Sequence, residues 1–252
     1  MIWLRSAVFN LWFYSVTAVL AVGSVFVRPA QSGLAFRVAR LWARCVLSAL
    51  KPLCGISVVI SGREHLPANG PALIASQHQS AFDTMVWLLL LPAPAYVLKL
   101  ELTRIPFFGG MLGKLGMIAV DRDAGAAAIR TLLRGADAAV AAERHIVIFP
   151  EGTRAPPGAP LPLHPGVAAL ATRTRLPVIP VVTDSGLCWG RRAFRKLPGV
   201  IHVAIQPPLP AGMGRAALMD QLATLYAGGV GAVDKSVESP SAEFSLNPRK
   251  AG

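Results

Sequence analysis

The chain has 252 residues, 53% of them hydrophobic and 15% charged, with a mean hydropathy of +0.50. Such a length suits one sizeable domain with appendages, and the apolar surplus has to meet lipid or an unusually large core. The formal charge of +12 calls for an anionic partner; with no zinc-finger spacing and no basic run interleaved with exposed aromatics, it points to an anionic membrane surface or phosphorylated substrates and away from nucleic acid.

Residues 7–27 carry no charge over 21 positions, enough at about 1.5 Å per residue to cross a hydrocarbon core of about 30 Å. A cleaved signal would have a shorter apolar core and a small-residue site after it, whereas this stretch runs straight into Arg28. Arg5 precedes it and Arg28, Arg37, Arg40, Arg44 and Lys51 follow it, so the positive-inside rule puts the rest of the chain on the cytoplasmic face of the cytoplasmic (inner) membrane. Residues 34–54 predict a second helix with Arg37, Arg40 and Arg44 on one face, suited to anionic lipid headgroups. It is open whether this helix forms a hairpin with the first inside one leaflet, spans the bilayer, or joins the core. Cys45, Cys54 and Cys188 are odd in number and lack metal-ligand spacing, so they read as small buried hydrophobes in a reducing compartment, with no zinc site.

From residue 56 onward short apolar runs alternate with helical stretches. Strands are predicted at 56–61, 71–76, 95–100, 116–121, 145–149, 176–182 and 201–206. The clearest helix covers 124–144, with Asp123 as its N-cap. This alternation predicts an α/β fold, a mostly parallel central sheet flanked by helices, carrying an N-terminal membrane helix or helical hairpin. After Tyr226 periodicity gives way to Gly, Ser and Pro, the composition of a mobile tail.

Where the run 72–76 hands over to a helix lies Gln77-His78-Gln79-Ser80-Ala81-Phe82-Asp83, with four residues between His78 and Asp83. Strand ends in α/β sheets are where sites are built. A carboxylate bonded to one ring nitrogen of His78 fixes the tautomer and stabilises the imidazolium, leaving the other nitrogen to take a proton from a substrate hydroxyl. The same spacing also serves simply to cap a helix. Ser80 lacks the glycine-flanked elbow of a serine nucleophile. Directly after the strand 145–149 comes Phe149-Pro150-Glu151-Gly152-Thr153-Arg154. Arg154 can grip a phosphate with paired charge-assisted hydrogen bonds, and Glu151 can accept from a polyol hydroxyl or hold the arginine. Phosphate plus hydroxyl describes a glycerophosphate, although this segment alone also reads as an ordinary surface turn.

Together, His78 to Asp83 and Phe149 to Arg154 resemble the glycerolipid acyltransferase family. Lys99-Leu100-Glu101-Leu102, Ile105-Pro106-Phe107-Phe108-Gly109 and Gly116-Met117-Ile118-Ala119-Val120-Asp121-Arg122 look like the family's second motif, and Val178-Ile179-Pro180-Val181 looks like its fourth. The likeness covers roughly residues 60–210, in the right order. With the readings above, it divides the chain into membrane-anchoring helices over 1–58, an acyltransferase domain over 59–228 and a flexible tail over 229–252. It further implies that His78 is the base and Asp83 its orienting partner, that Arg122, Glu151, Gly152, Thr153 and Arg154 hold the acceptor's glycerol phosphate, and that Lys99 lies near the same pocket. The implied donor is acyl-CoA or acyl carrier protein, and the implied acceptor is lysophosphatidic acid, acylated at its sn-2 hydroxyl to give phosphatidic acid for phospholipid synthesis. No metal, cofactor or acyl-enzyme is implied, since a thioester is already activated and an alcohol needs only deprotonation, positioning and a stabilised oxyanion.

The chain departs from the family pattern in places. Leu163-His164-Pro165 stands before Gly166 where the family has an aromatic and lysines, Ala155 replaces a serine, and Gln77 replaces an asparagine. These changes bear on any phosphate or carrier contact and on the identity of the acceptor. The rival readings are transfer to glycerol 3-phosphate or a lyso-aminolipid, a thioesterase in which His78 activates water, and a non-catalytic module that binds anionic lipid.

Overall fold

A computed structural model describes residues 1–24, 32–106, 108–159 and 162–233. Helix α1 (Ile2–Gly23) is long and apolar enough to cross a membrane. Only a strip of it is covered: Ser6 and Phe9 are fully buried, while Trp3, Leu4, Leu11, Tyr14 and Val19 are exposed. Phe9 and Phe13 pack edge-on against Trp189 with centroids 5.2 and 5.7 Å apart. Lys196, buried beside them, donates from its ammonium to Asn10 Oδ1 at 2.9 Å and from its backbone N–H to Ser6 Oγ at 2.9 Å. Burial lowers its pKa to about 8. The helix is thus fastened along the domain by one polar and aromatic seam.

Helix α2 (Ser32–Ser48) runs antiparallel to α1, since Trp12 Nε1 donates to the Cys45 carbonyl (2.9 Å) and Trp42 Nε1 to Thr17 Oγ1 (3.0 Å). Its inner face, Ala35, Ala39, Ala43, Val46 and Leu47, joins the core, as the core-helix reading expects, while the helix also pairs with α1. Arg37 and Arg44 are exposed, but Arg40 turns half-buried to the Leu88 carbonyl at 3.3 Å, so the basic face is split. The helix stops earlier than 54. Pro52 has no N–H to donate, and the chain widens into a π turn over Leu50–Cys54 that closes at Gly55, φ 70°. Residues 25–31, which include Arg28 and the end of the 7–27 stretch, and Phe107 of the second motif lie outside the described residues.

All seven predicted strands form: β1 (Ile56–Ser61), β2 (Leu73–Ser76), β3 (Ala95–Lys99), β4 (Ile118–Val120), β5 (Ile146–Ile148), β6 (Val178–Thr183) and β7 (Gly199–Ile205). They make one sheet in the order β1-β7-β6-β2-β5-β3-β4, parallel throughout except for the β6–β7 pair. Alternating residues feed two cores. Ile74, Val147, Ile179 and Val181 face α1, α2, α3 (Phe82–Leu90) and α4 (Phe108–Lys114). Leu73, Ala75, Ile146, Ile148 and Val182 face α5 (Ala126–Ala141), α6 (Gly166–Thr174) and α8 (Arg215–Val233). Burial on both faces is why the central strands read as unbroken apolar runs.

Two sequence expectations are corrected. Asp123 does not cap α5; Asp121 accepts from the Asp123 N–H at 3.1 Å to close a short 3₁₀ turn, and Gly125 (φ 52°, ψ −121°) starts the helix. Helical turns run on past Tyr226, where the periodicity fades, but the helix breaks at Gly229 (φ 62°, ψ −174°), the position at which the tail was expected to begin, and further turns reach Val233. Residues 234–252 of the expected tail lie outside the described residues.

Candidate active site

Strands β6, β2, β5, β3 and β4 are parallel neighbours, so their carboxyl ends line one edge of the sheet. From β2 the chain passes to His78, from β5 to Glu151 and Arg154, from β4 to Arg122, and from β6 to Ser185 in the short helix α7 (Ser185–Cys188). Residues far apart in sequence therefore converge for a purely topological reason.

His78 Nδ1 lies 3.0 Å from Asp83 Oδ2, and the imidazole stacks on Phe149, centroids 4.2 Å apart. The ring is fixed in its plane and at one nitrogen, which leaves Nε2 for chemistry. Asp83, almost wholly buried, is heavily satisfied. Its Oδ2 also accepts from the N–H groups of Gln79 and Ser80, each at 2.7 Å, and its Oδ1 from Ser185 Oγ at 2.7 Å. Ser80 Oγ accepts in turn from the Phe82 N–H at 3.1 Å, a reciprocal arrangement of the capping-box kind at the start of α3. One carboxylate thus ties the turn ahead of α3 and fixes one ring nitrogen of His78. Ser80 Oγ is buried and engaged in this turn.

The third-motif loop closes on the same place. Glu151 Oε2 accepts from the His78 backbone N–H at 2.6 Å, and the Ala155 N–H donates to the His78 carbonyl at 2.7 Å. Glu151 thus fastens the histidine loop and does not hold Arg154. Desolvation raises its pKa to about 8, opposed by the His78 hydrogen bond and reinforced by the charge of Asp83. Arg122 Nη1 donates to the Gly152 carbonyl, tying the end of the second motif to the third. Gly152 sits at φ 65°, and a Cβ there would meet His164 Cδ2 at 2.6 Å and Arg122 Nη1 at 2.9 Å, so any side chain would be strained and would have to displace both. Thr153 and Lys99 are exposed beside it.

His78, Lys99, Arg122, Glu151, Gly152, Thr153 and Arg154 all line one cavity of about 1170 Å³, somewhat larger than the roughly 300–1,000 Å³ of ordinary small-molecule sites. Asp83 stands behind His78. One end of the cavity is cationic. The other is apolar, walled by Phe13 and Leu20 of α1, Val38 and Trp42 of α2, and Met85, Leu88, Met111 and Leu112. Burial lowers the pKa of both Arg122 and Arg154; Glu101 opposes the first shift and Asp83 the second.

Sequence reasoning missed several participants. Ser185, Phe149 as a platform, and Arg191 and Arg192 on the cavity wall carry no local signal tying them to His78. Gln77 proves to be a stitch: buried, its Oε1 accepts from the Thr183 N–H at 3.2 Å. The three cysteines are free thiols, Cys54 and Cys188 buried and Cys45 half-buried. Burial raises Cys188 to about 11, with Asp184 adding to the shift.

A half-buried histidine on a buried aspartate thus opens on a cavity lined by both cationic and apolar side chains. The acyltransferase family model matches residues 57–184, a span holding His78, Asp83, Arg122 and the run Phe149 to Arg154. This chain belongs to that acyltransferase family. Among its relatives, a 1-acyl-sn-glycerol-3-phosphate acyltransferase of Pseudomonas aeruginosa is 33% identical over 223 residues, 86% of this chain and 85% of that protein. The 1-acyl-sn-glycerol-3-phosphate acyltransferase alpha of Homo sapiens is 31% identical over 171 residues, 66% of this chain and 60% of that longer protein. The crystal structure of the 1-acyl-sn-glycerophosphate (LPA) acyltransferase of Thermotoga maritima shares the fold, with a TM-score of 0.75 at 21% identity, over 96% of this chain and all of that one.

Proposed function

We propose that the protein transfers a fatty acyl group from a thioester, acyl-CoA or acyl carrier protein, to the sn-2 hydroxyl of lysophosphatidic acid, giving phosphatidic acid for phospholipid synthesis. The observation that carries this reading is the position of His78: held by Asp83 at 3.0 Å, it lines a cavity whose cationic end suits a glycerol phosphate and whose apolar end suits acyl chains. The relatives in Pseudomonas aeruginosa and Homo sapiens bear names of the same activity.

In this mechanism Arg122 and Arg154 grip the acceptor's phosphate, with Lys99 adding charge and Glu151, Gly152 and Thr153 shaping the loop around the glycerol. His78 Nε2 takes the proton of the free hydroxyl as its oxygen attacks the thioester carbonyl carbon. The new C–O bond forms, the C–S bond breaks from the tetrahedral intermediate, and the imidazolium returns the proton to the departing thiolate. Asp83 stabilises the imidazolium between these events. Helices α1 and α2 seat the domain on the anionic cytoplasmic face of the inner membrane, where acceptor and product reside.

The test is to incubate the purified protein and His78→Ala with labelled acyl thioester, with and without lysophosphatidic acid. Acceptor-dependent phosphatidic acid should form, and His78→Ala should lower kcat by about 10²–10⁴-fold with an unchanged melting temperature. Fatty acid release without acceptor would favour hydrolysis. Product only with glycerol 3-phosphate or a lyso-aminolipid would reassign the acceptor.

A further inference from the structure

The arginines grouped so far serve one phosphate, yet the proposed reaction brings two phosphorylated substrates to one base. Arg191 and Arg192 follow α7 on the β6 side of His78, whereas Arg122 leaves β4, three strands beyond β2 in the other direction. Arg154, from β5, lies between these two groups and feels the charge of both Arg191 and Arg192 after the larger effect of its own burial. Both side chains line the His78 cavity, both residues are exposed, and neither guanidinium has a hydrogen-bond or ion-pair partner among the described residues. The turn that presents them is anchored at both ends. Upstream, the Gly186 N–H donates to Gln79 Oε1 at 3.1 Å; downstream, the Phe194 carbonyl accepts from Asn10 Nδ2 at 2.9 Å. Arg192 itself is held at φ 53°, a left-handed conformation unfavourable for a side-chain-bearing residue.

A turn that gathers like charges on a cleft wall raises the local concentration of anions there. We infer that Arg191 and Arg192 form a second anion site that binds the phosphate of the acyl donor's phosphopantetheine arm, on the flank of His78 opposite Arg122. That phosphate is common to acyl-CoA and acyl carrier protein. The inference rests on the acyl-transfer reading above.

The test compares palmitoyl-phosphopantetheine with palmitoyl-pantetheine, which differ by that one phosphate, as donors to lysophosphatidic acid. The parent protein is run beside Arg191→Gln/Arg192→Gly; glycine suits φ 53°, so the second change relaxes the backbone as it removes the charge. The parent should favour the phosphorylated donor, and the double variant should cut that preference by about 10-fold or more. Melting temperatures and vesicle flotation are measured alongside. A folded variant that keeps the parent's preference overturns the inference. So does one whose defect is a raised KM for lysophosphatidic acid, which assigns the arginines to the acceptor, or a loss of flotation at unchanged preference, which assigns them to lipid headgroups. A parent that makes no phosphatidic acid from either donor would instead overturn the acyl-transfer reading.

Discussion

The Ser185 hydroxyl donates to Asp83 Oδ1 over 2.7 Å, with 101 residues between them in sequence and both side chains buried. With the Gln79 and Ser80 amides and the His78 ring on Oδ2, this bond leaves the carboxylate no freedom to rotate. Removing the hydroxyl strands a buried acceptor oxygen. Ser185→Ala should therefore cost about 1–3 kcal/mol of stability, read by denaturant unfolding. It should also lower kcat by up to about 100-fold, as small misplacements of reacting groups do, with little change in KM for the acceptor. Ser185→Thr, which keeps the hydroxyl, should restore much of the rate.

Gly152→Ala should disturb the phosphate end of the cavity selectively. The substitution faces φ 65° and two contacts under 3.0 Å, with His164 and Arg122. Strain of about 1–3 kcal/mol is expected in the loop, and displacement of the Arg122 guanidinium should raise KM for lysophosphatidic acid more than it lowers kcat. Steady-state kinetics with the acceptor varied, together with a melting curve, checks both halves.

Glu151 gives the protein a pH signature. Its carboxyl titrates near 8 when folded against an ordinary 4.5, so the native state binds the extra proton between those values. Stability from this group is full below about pH 4.5 and is lost as pH rises through about 8, the direction linkage requires when the folded state holds more protons. Glu151→Gln keeps an oxygen acceptor for the His78 amide and cannot ionise. Melting temperature against pH should fall less steeply for the variant than for the parent across that interval.

The exposed side of α1 should govern membrane attachment. Leu4 and Leu11 are each 71% exposed and lie outside the seam with Trp189 and Lys196. Leu4→Lys/Leu11→Lys adds charge to the exposed apolar side and leaves the packed strip alone, so flotation with anionic vesicles should weaken while the melting temperature in detergent stays near that of the parent.

Much of this was legible in the linear sequence because its causes are local. Uncharged residues in a run, strands buried on both faces, and a histidine and aspartate set at a strand-to-helix junction all leave a periodic or positional mark. Even so, local rules misplaced the cap of α5, because Asp121 outcompeted Asp123 for the turn, and read the chain after Tyr226 as tail although helical turns stand on both sides of the break at Gly229.

The sequence by itself determined the layered α/β scheme, the apolar N-terminal helix and the two motif loops that carry His78, Asp83, Glu151 and Arg154. The tertiary structure alone decided what surrounds them. Strand order set β6 beside β2, which delivers Ser185 to Asp83 and Arg191 and Arg192 to the cavity wall. Packing of α1 and α2 against the sheet gave the cavity its apolar end. Such contacts join residues from tens to more than a hundred positions apart, and which of them meet depends on how sheet order and helix packing satisfy the whole chain at once, a quantity that no short window of sequence contains.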